Sequence, residues 1–91
     1  MLSNIHPKYT LAVCPKEGKS YNPVHDKVNG LIVTVIDLTV GERGKLAFED
    51  WSWTSGWNIL DTSPIEDVVI DEVGNITVTT RNTVYTLNKI V

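Results

Sequence analysis

The chain has 91 residues, a formal charge of −3 and 42% hydrophobic residues, with a mean hydropathy of −0.05. That describes one domain near the lower size limit for a self-sufficient core, too small for a catalytic cleft between domains and too apolar to be disordered. The longest apolar run (residues 31–38) is broken by Thr34 and Asp37, no charged start leads into an apolar signal core, and the single cysteine, Cys14, excludes an internal disulfide framework; no membrane span is expected, and the cytosol is the expected location.

Taken in order, residues 1–8 read as an irregular, flexible arm, since His6-Pro7 disfavours helix before the proline. Residues 9–13 fit a short strand stopped by Pro15. Residues 16–23, rich in turn formers and charge, read as an exposed loop. Residues 24–28 have no clear period, and Asn29-Gly30 signals a turn ahead of the next strand. Residues 31–38 are apolar on both faces, as expected of a central strand packed on one side and covered or bent on the other. Gly41 and Gly44 flank a charged tip and suit a turn or a bulge, returning the chain through residues 45–49 with Leu46 and Phe48 on one face. Residues 50–63 are the least regular stretch and read as a long hairpin tip or functional loop. Residues 65–70 resume strand character, with Val68 and Ile70 on one face.

The C-terminal stretch specifies its own pairing. If Arg81-Asn82 form a two-residue turn, Thr79 faces Val84, Val78 faces Tyr85, Thr77 faces Thr86 and Ile76 faces Leu87, which puts every large apolar residue except Val84 on one face. Asn82 is the residue that tolerates the positive φ of a primed turn. A slip of one residue would carry Ile76 and Val78 out of the core. With residues 71–75 as the preceding connection, Ile70 meets Ile76 and Val68 meets Val78, and Gly74-Asn75 supplies the positive φ. The expected fold is therefore all-β: a small five- to six-stranded barrel of Src-homology-3-like type ending in a β-meander, formed by residues 1–91 as a single domain. A two-layer sandwich is the alternative. Closure removes the exposed edges that a domain of this size otherwise has to protect.

Charge is unevenly distributed along the chain. Residues 46–80 contain no Lys or Arg but hold Glu49, Asp50, Asp61, Glu66, Asp67, Asp71 and Glu72 together with Trp51, Trp53 and Trp57. Nucleic-acid binders neutralise phosphates with clustered cations, so DNA and RNA are not the expected ligands, and a basic protein surface is the better complement. Trp51 and Trp53, two apart and on one face if extended, suit an aromatic anchor; the alternative is that one or two of the rings plug the barrel ends. The expected partner-binding residues are Glu49, Asp50, Trp51, Trp53, Trp57, Asp61, Glu66 and Asp67.

Other chemistry finds little support. Cys14, His25 and Asp26 lack a spacing that would join nucleophile and base, and His6, His25 and Cys14 lack the paired spacings of a zinc site. The couplets Glu49-Asp50 and Glu66-Asp67 would point to opposite faces of a strand, so neither makes a dyad by itself. Gly41-Glu42-Arg43-Gly44 lacks the Gly-Lys-Ser/Thr ending of a phosphate loop. No enzyme activity, cofactor or metal is expected.

The runs Val40-Gly41-Glu42-Arg43-Gly44, Thr62-Ser63-Pro64-Ile65 and residues 76–87 resemble small β-barrel proteins encoded by phages and prophages of Gram-positive bacteria. The similarity covers roughly residues 40–90. It implies a non-enzymatic protein in the host cytoplasm that binds, and in the anti-defence case inhibits, a host protein such as an immune nuclease or signalling enzyme. The alternatives are a structural subunit of a virion or homo-oligomer, and a module that sequesters a small ligand between tryptophan rings and loop backbone.

Overall fold

A computed structural model describes residues 7–19, 24–49 and 58–90. In chain order the elements are β1 (Tyr9–Pro15), α1 (Val24–Val28), β2 (Ile32–Asp37), β3 (Arg43–Phe48), β4 (Ile59–Ile70), β5 (Ile76–Thr80) and β6 (Thr83–Lys89). Each strand pairs antiparallel with the next, and β6 returns to β1, closing a six-stranded all-β barrel in place of the open sandwich alternative. The stretch without a period, residues 24–28, makes a single helical turn between β1 and β2.

The meander is the part dictated most directly by residue alternation. Ile76 faces Leu87, Val78 faces Tyr85 and Thr79 faces Val84, while Ile70 faces Ile76 and Val68 faces Val78. Ile76, Val78, Tyr85 and Leu87 are buried as the register requires. Ile70 departs from expectation: it shares the inward face of Ile76 but is 65% exposed, because β3 pairs with β4 only as far as Pro64 and leaves that edge of Ile70 uncovered. Gly74 takes the positive φ of that connection.

The turn at Arg81-Asn82 also differs, since neither residue has positive φ. The Thr80 hydroxyl accepts the Thr83 N–H at 3.1 Å and donates to the Thr83 carbonyl at 2.9 Å, doing the work of the backbone bonds of a primed turn. The tip is also tied to its neighbours: Arg81 N–H donates to the Pro64 carbonyl and Lys16 N–H to the Asn82 carbonyl.

β4 is twice the length expected, because residues 59–63, read as part of a loop, belong to it. Its first half pairs with β3 and its second half with β5. Two bulges sit on either side of Pro64-Ile65: Thr62 and Ser63 together oppose Gly44, and Glu66 is an extra residue between Ile65 and Asp67. Bulges bend and twist a strand, which lets one strand serve two sides of a small barrel. Pro64, which has no N–H to give, falls at the changeover. Gly44 lies inside the bend, buried, with its N–H donated to Thr62 Oγ1 at 2.8 Å.

The interior is filled by Leu11, Val33, Leu46, Ile65, Val78 and Leu87, each at most 2% exposed, with Val28 of α1 closing one side. In β2 only Val33 is fully buried. Ile36, the extra residue of a bulge between Val35 and Asp37, is turned outward and is 50% exposed, which is the bend expected of a strand apolar on both faces. β1 and β2 share only two residue pairs. The rest of that seam is closed by the Asn29-Gly30 turn: Gly30 N–H donates to the Leu11 carbonyl, Leu11 N–H to the Leu31 carbonyl, and the Asn29 amide pairs with Val13, accepting its N–H at 2.7 Å.

Candidate partner-binding surface

The residues expected to bind a partner flank one connection and then run along β4. Phe48 N–H donates to the Asn58 carbonyl at 2.8 Å, pinning the base of the β3–β4 connection. Asp50, Trp51, Trp53 and Trp57 lie outside the described residues. Glu49, Asp61, Glu66 and Asp67 are described, and all four are exposed.

Three of these acids have lysine partners inside the chain. Lys8, just before β1, pairs with Glu49 at the end of β3. Lys45 of β3 pairs with Asp61 at 2.6 Å, directly across the β3–β4 ladder. Lys16, just after β1, pairs with Glu66. The hydrogen bond from Lys16 holds the Glu66 carboxyl below its usual range, assisted by the charges of Lys16, Arg81 and Lys19. A carboxylate stabilised in its ionised form is poorly suited to donate a proton as a general acid. The pair is exposed and contributes little to stability.

The bulge at Glu66 also changes how the Glu66-Asp67 couplet is displayed. In a regular strand the two would face opposite sides, one of them inward. Here both reach solvent. Asp67 has no ion-pair partner among the described residues, and neither do Asp71 and Glu72 in the β4–β5 connection. Asp71 instead accepts the backbone N–H groups of Val73 at 3.0 Å and Asn75 at 2.9 Å, ordering the turn. Exposed apolar side chains accompany these acids: Val69, Ile70 and Val73 are 54%, 65% and 70% exposed.

Sequence reasoning missed the lysine partners. Lys8 and Lys16 lie 41 and 50 residues from their acids, so only strand pairing distant in sequence brings them together. The Lys45–Asp61 pair had a signal: extending β4 back to Ile59 in register with β3 places the two opposite one another. Arg43, at the charged tip, donates to the Thr62 carbonyl at 3.1 Å and so braces the β4 bulge.

Cys14 is exposed near the end of β1, with Val84 as its cross-strand neighbour. No group of three or more His, Cys, Asp or Glu residues that could hold a metal ion occurs among the described residues. No helix among them is long and apolar enough to cross a membrane. Searches against protein-family models, curated proteins and solved structures find no match to this chain.

Proposed function

We propose that this is a non-enzymatic binding protein, phage-encoded as its sequence resemblance implies, that works in the host cytoplasm. It docks an acidic, tryptophan-bearing surface within residues 46–72 on a basic surface of a host protein and inhibits it. The observation that carries this reading is the run of exposed carboxylates at Asp67, Asp71 and Glu72, without ion-pair partners among the described residues, beside exposed Val69, Ile70 and Val73. Apolar side chains rimmed by charge of one sign make a surface that both steers a partner of opposite sign and holds it by desolvation. The barrel interior, filled with aliphatic and aromatic side chains of the core, favours a role for the surface over an internal ligand.

The test is capture from host lysate by wild type, by Glu72→Lys and by Trp51→Ala/Trp53→Ala, each shown to be folded by its thermal transition. The reading expects one retained protein that is released as salt rises, because exposed complementary charges are screened once the Debye length falls from about 10 Å at 0.1 M towards about 3 Å at 1 M. Both variants should retain less of it, and the purified partner should lose activity when the wild-type protein is added. Retention indifferent to salt and to both variants would refute the reading.

A further inference from the structure

The first half of β4 closes the barrel against β3, but the second half keeps one free edge. On the β3 side, pairing stops at Ile65, whose carbonyl accepts the Gly41 N–H at 2.8 Å and whose N–H donates to the Glu42 carbonyl at 2.9 Å. On the other side β5 follows β4 as far as Ile70. Asp71 N–H donates to the Asn75 carbonyl at 2.9 Å, and hydrogen-bonded pairs alternate along an antiparallel ladder, so Val69 and Asp67 turn their backbone groups to Thr77 and Thr79 of β5. Val68 and Ile70 therefore turn theirs away from β5, and no group among the described residues hydrogen-bonds to them there. Two N–H and two C=O groups in a row are a template for a further strand. Acids bracket the row: Asp67 precedes it and Asp71 and Glu72 follow it, all exposed and none in an ion pair among the described residues.

We propose that this edge takes an extended, basic segment of the partner protein as an added strand. The proposal rests on the partner-binding reading and names the form in which the partner is held. A second copy of this chain is a poor occupant. The register that satisfies both Val68 and Ile70 would pair each with the other's counterpart and set Asp67 against Asp71 at both ends, and like charges directly opposite destabilise a sheet. A segment with Lys or Arg at two positions four apart meets both acids instead, because extended strands share a rise of about 3.4 Å per residue. Its apolar residues between those positions lie across from Val68, half-buried, and Ile70, 65% exposed. Main-chain hydrogen bonds then supply affinity, while the paired charges and apolar contacts select the sequence.

The probe is the end-capped peptide Lys-Val-Thr-Val-Lys, titrated into the full chain to about 5 mM, enough to populate a complex of millimolar Kd, with amide exchange followed by NMR. The Val68 and Ile70 amides should exchange rapidly in the free chain and slow when the peptide is added. N-methylation of both peptide valines, whose amides face the edge, should weaken binding by about tenfold or more, whereas N-methylation of the threonine should leave it unchanged. Ile70→Pro should fold like wild type, since proline is tolerated where a strand N–H points away from the ladder, and should weaken the peptide by a similar factor. Should that variant fail to fold, the methylated peptides on wild type decide. Val68 and Ile70 amides already protected in the free chain, equal binding of the valine-methylated peptide, or no binding at all would overturn the proposal. Salt-sensitive capture of a host protein by Ile70→Pro as by wild type would overturn strand addition alone. Failure of the partner-binding reading shows differently, as capture indifferent to salt and to Glu72→Lys.

Discussion

Gly44→Ala probes the contact between β3 and the bend of β4. A β-carbon built at Gly44 would lie 3.0 Å from Ile65 Cδ1, 3.1 Å from Thr62 Oγ1 and 3.3 Å from Leu38 Cδ2. Gly44 does not have positive φ, so the cost of the methyl is steric and not conformational. Ile65 and Thr62 are 2% and 1% exposed and cannot swing into solvent. Overpacking of this kind costs about 1–3 kcal/mol, offset by about 0.4–1 kcal/mol from the stiffer unfolded chain. From the middle of each range the expected net loss is about 1.3 kcal/mol, equivalent to roughly 5–10 °C in Tm for a domain of this size. Urea denaturation should show a lower midpoint with an unchanged slope. Ile65→Val removes the nearest atom and alone costs about 0.5–1.5 kcal/mol; combined with Gly44→Ala, the two losses should fall short of additivity by at least about 0.5 kcal/mol. Gly18→Ala is the control. Its φ of 80° strains alanine while nothing lies within 4 Å of the added carbon, so its loss should simply add to that of Ile65→Val. An alanine at position 44 as stable as glycine, or strictly additive losses with Ile65→Val, would refute the packing described here.

Tyr85→Ala should lower stability by about 3–5 kcal/mol, as removal of a buried aromatic ring does, and a loss below about 0.5 kcal/mol, the size of a surface substitution, would remove Tyr85 from the core. Burial raises the Tyr85 phenol above its usual value of 10.0, so the unfolded chain ionises first: this contribution is complete below about pH 10 and declines as pH rises above it. Tyr85→Phe should therefore flatten the alkaline limb of a stability–pH profile, and an unchanged limb would sink the argument. The Glu66 carboxyl is held below its usual range by Lys16, so its contribution is present above the unfolded carboxylate range, about pH 4.3, and is lost as pH falls through the lower folded value. Glu66→Gln should remove a small, salt-sensitive part of the acid limb in urea titrations, and no change at low salt would show that the pair contributes nothing.

The meander was legible in the sequence because two short connections and strict alternation leave one register that buries Ile76, Val78, Tyr85 and Leu87 together. The first half of β4 was not, because residues 58–63 show no alternation of their own. Ile59, Leu60 and Asp61 are extended because they face Ala47, Leu46 and Lys45 across the ladder, a tertiary cause that a local pattern does not carry. The turn at Arg81-Asn82 was misread for a similar reason. Counting residues between strands gave its position correctly, but its conformation follows from the Thr80 hydroxyl, which competes for the backbone groups a primed turn would have paired.

The stretch proposed to bind a partner could be read for its composition but not for its charge. Summing acids over residues 46–80 treats a stretch of chain as a stretch of surface, whereas Lys8, Lys16 and Lys45 come from outside that stretch and neutralise three of the acids it contains. The pairing of β1 with both β2 and β6 lays its ends near acids of β3 and β4 that are distant in sequence. The described carboxylates of this stretch without an ion-pair partner among the described residues, Asp67, Asp71 and Glu72, lie near the end of β4 and just beyond it, while Glu49 and Asn58, at the ends of the tryptophan-bearing connection, flank its start. Asn58, which closes the tryptophan-bearing connection, and these carboxylates thus lie at opposite ends of a twelve-residue strand. At about 3.3 Å per residue those ends are separated by more than a Debye length at physiological salt even after the bend at Pro64. A partner that met both ends, as proposed, would have to span the length of β4.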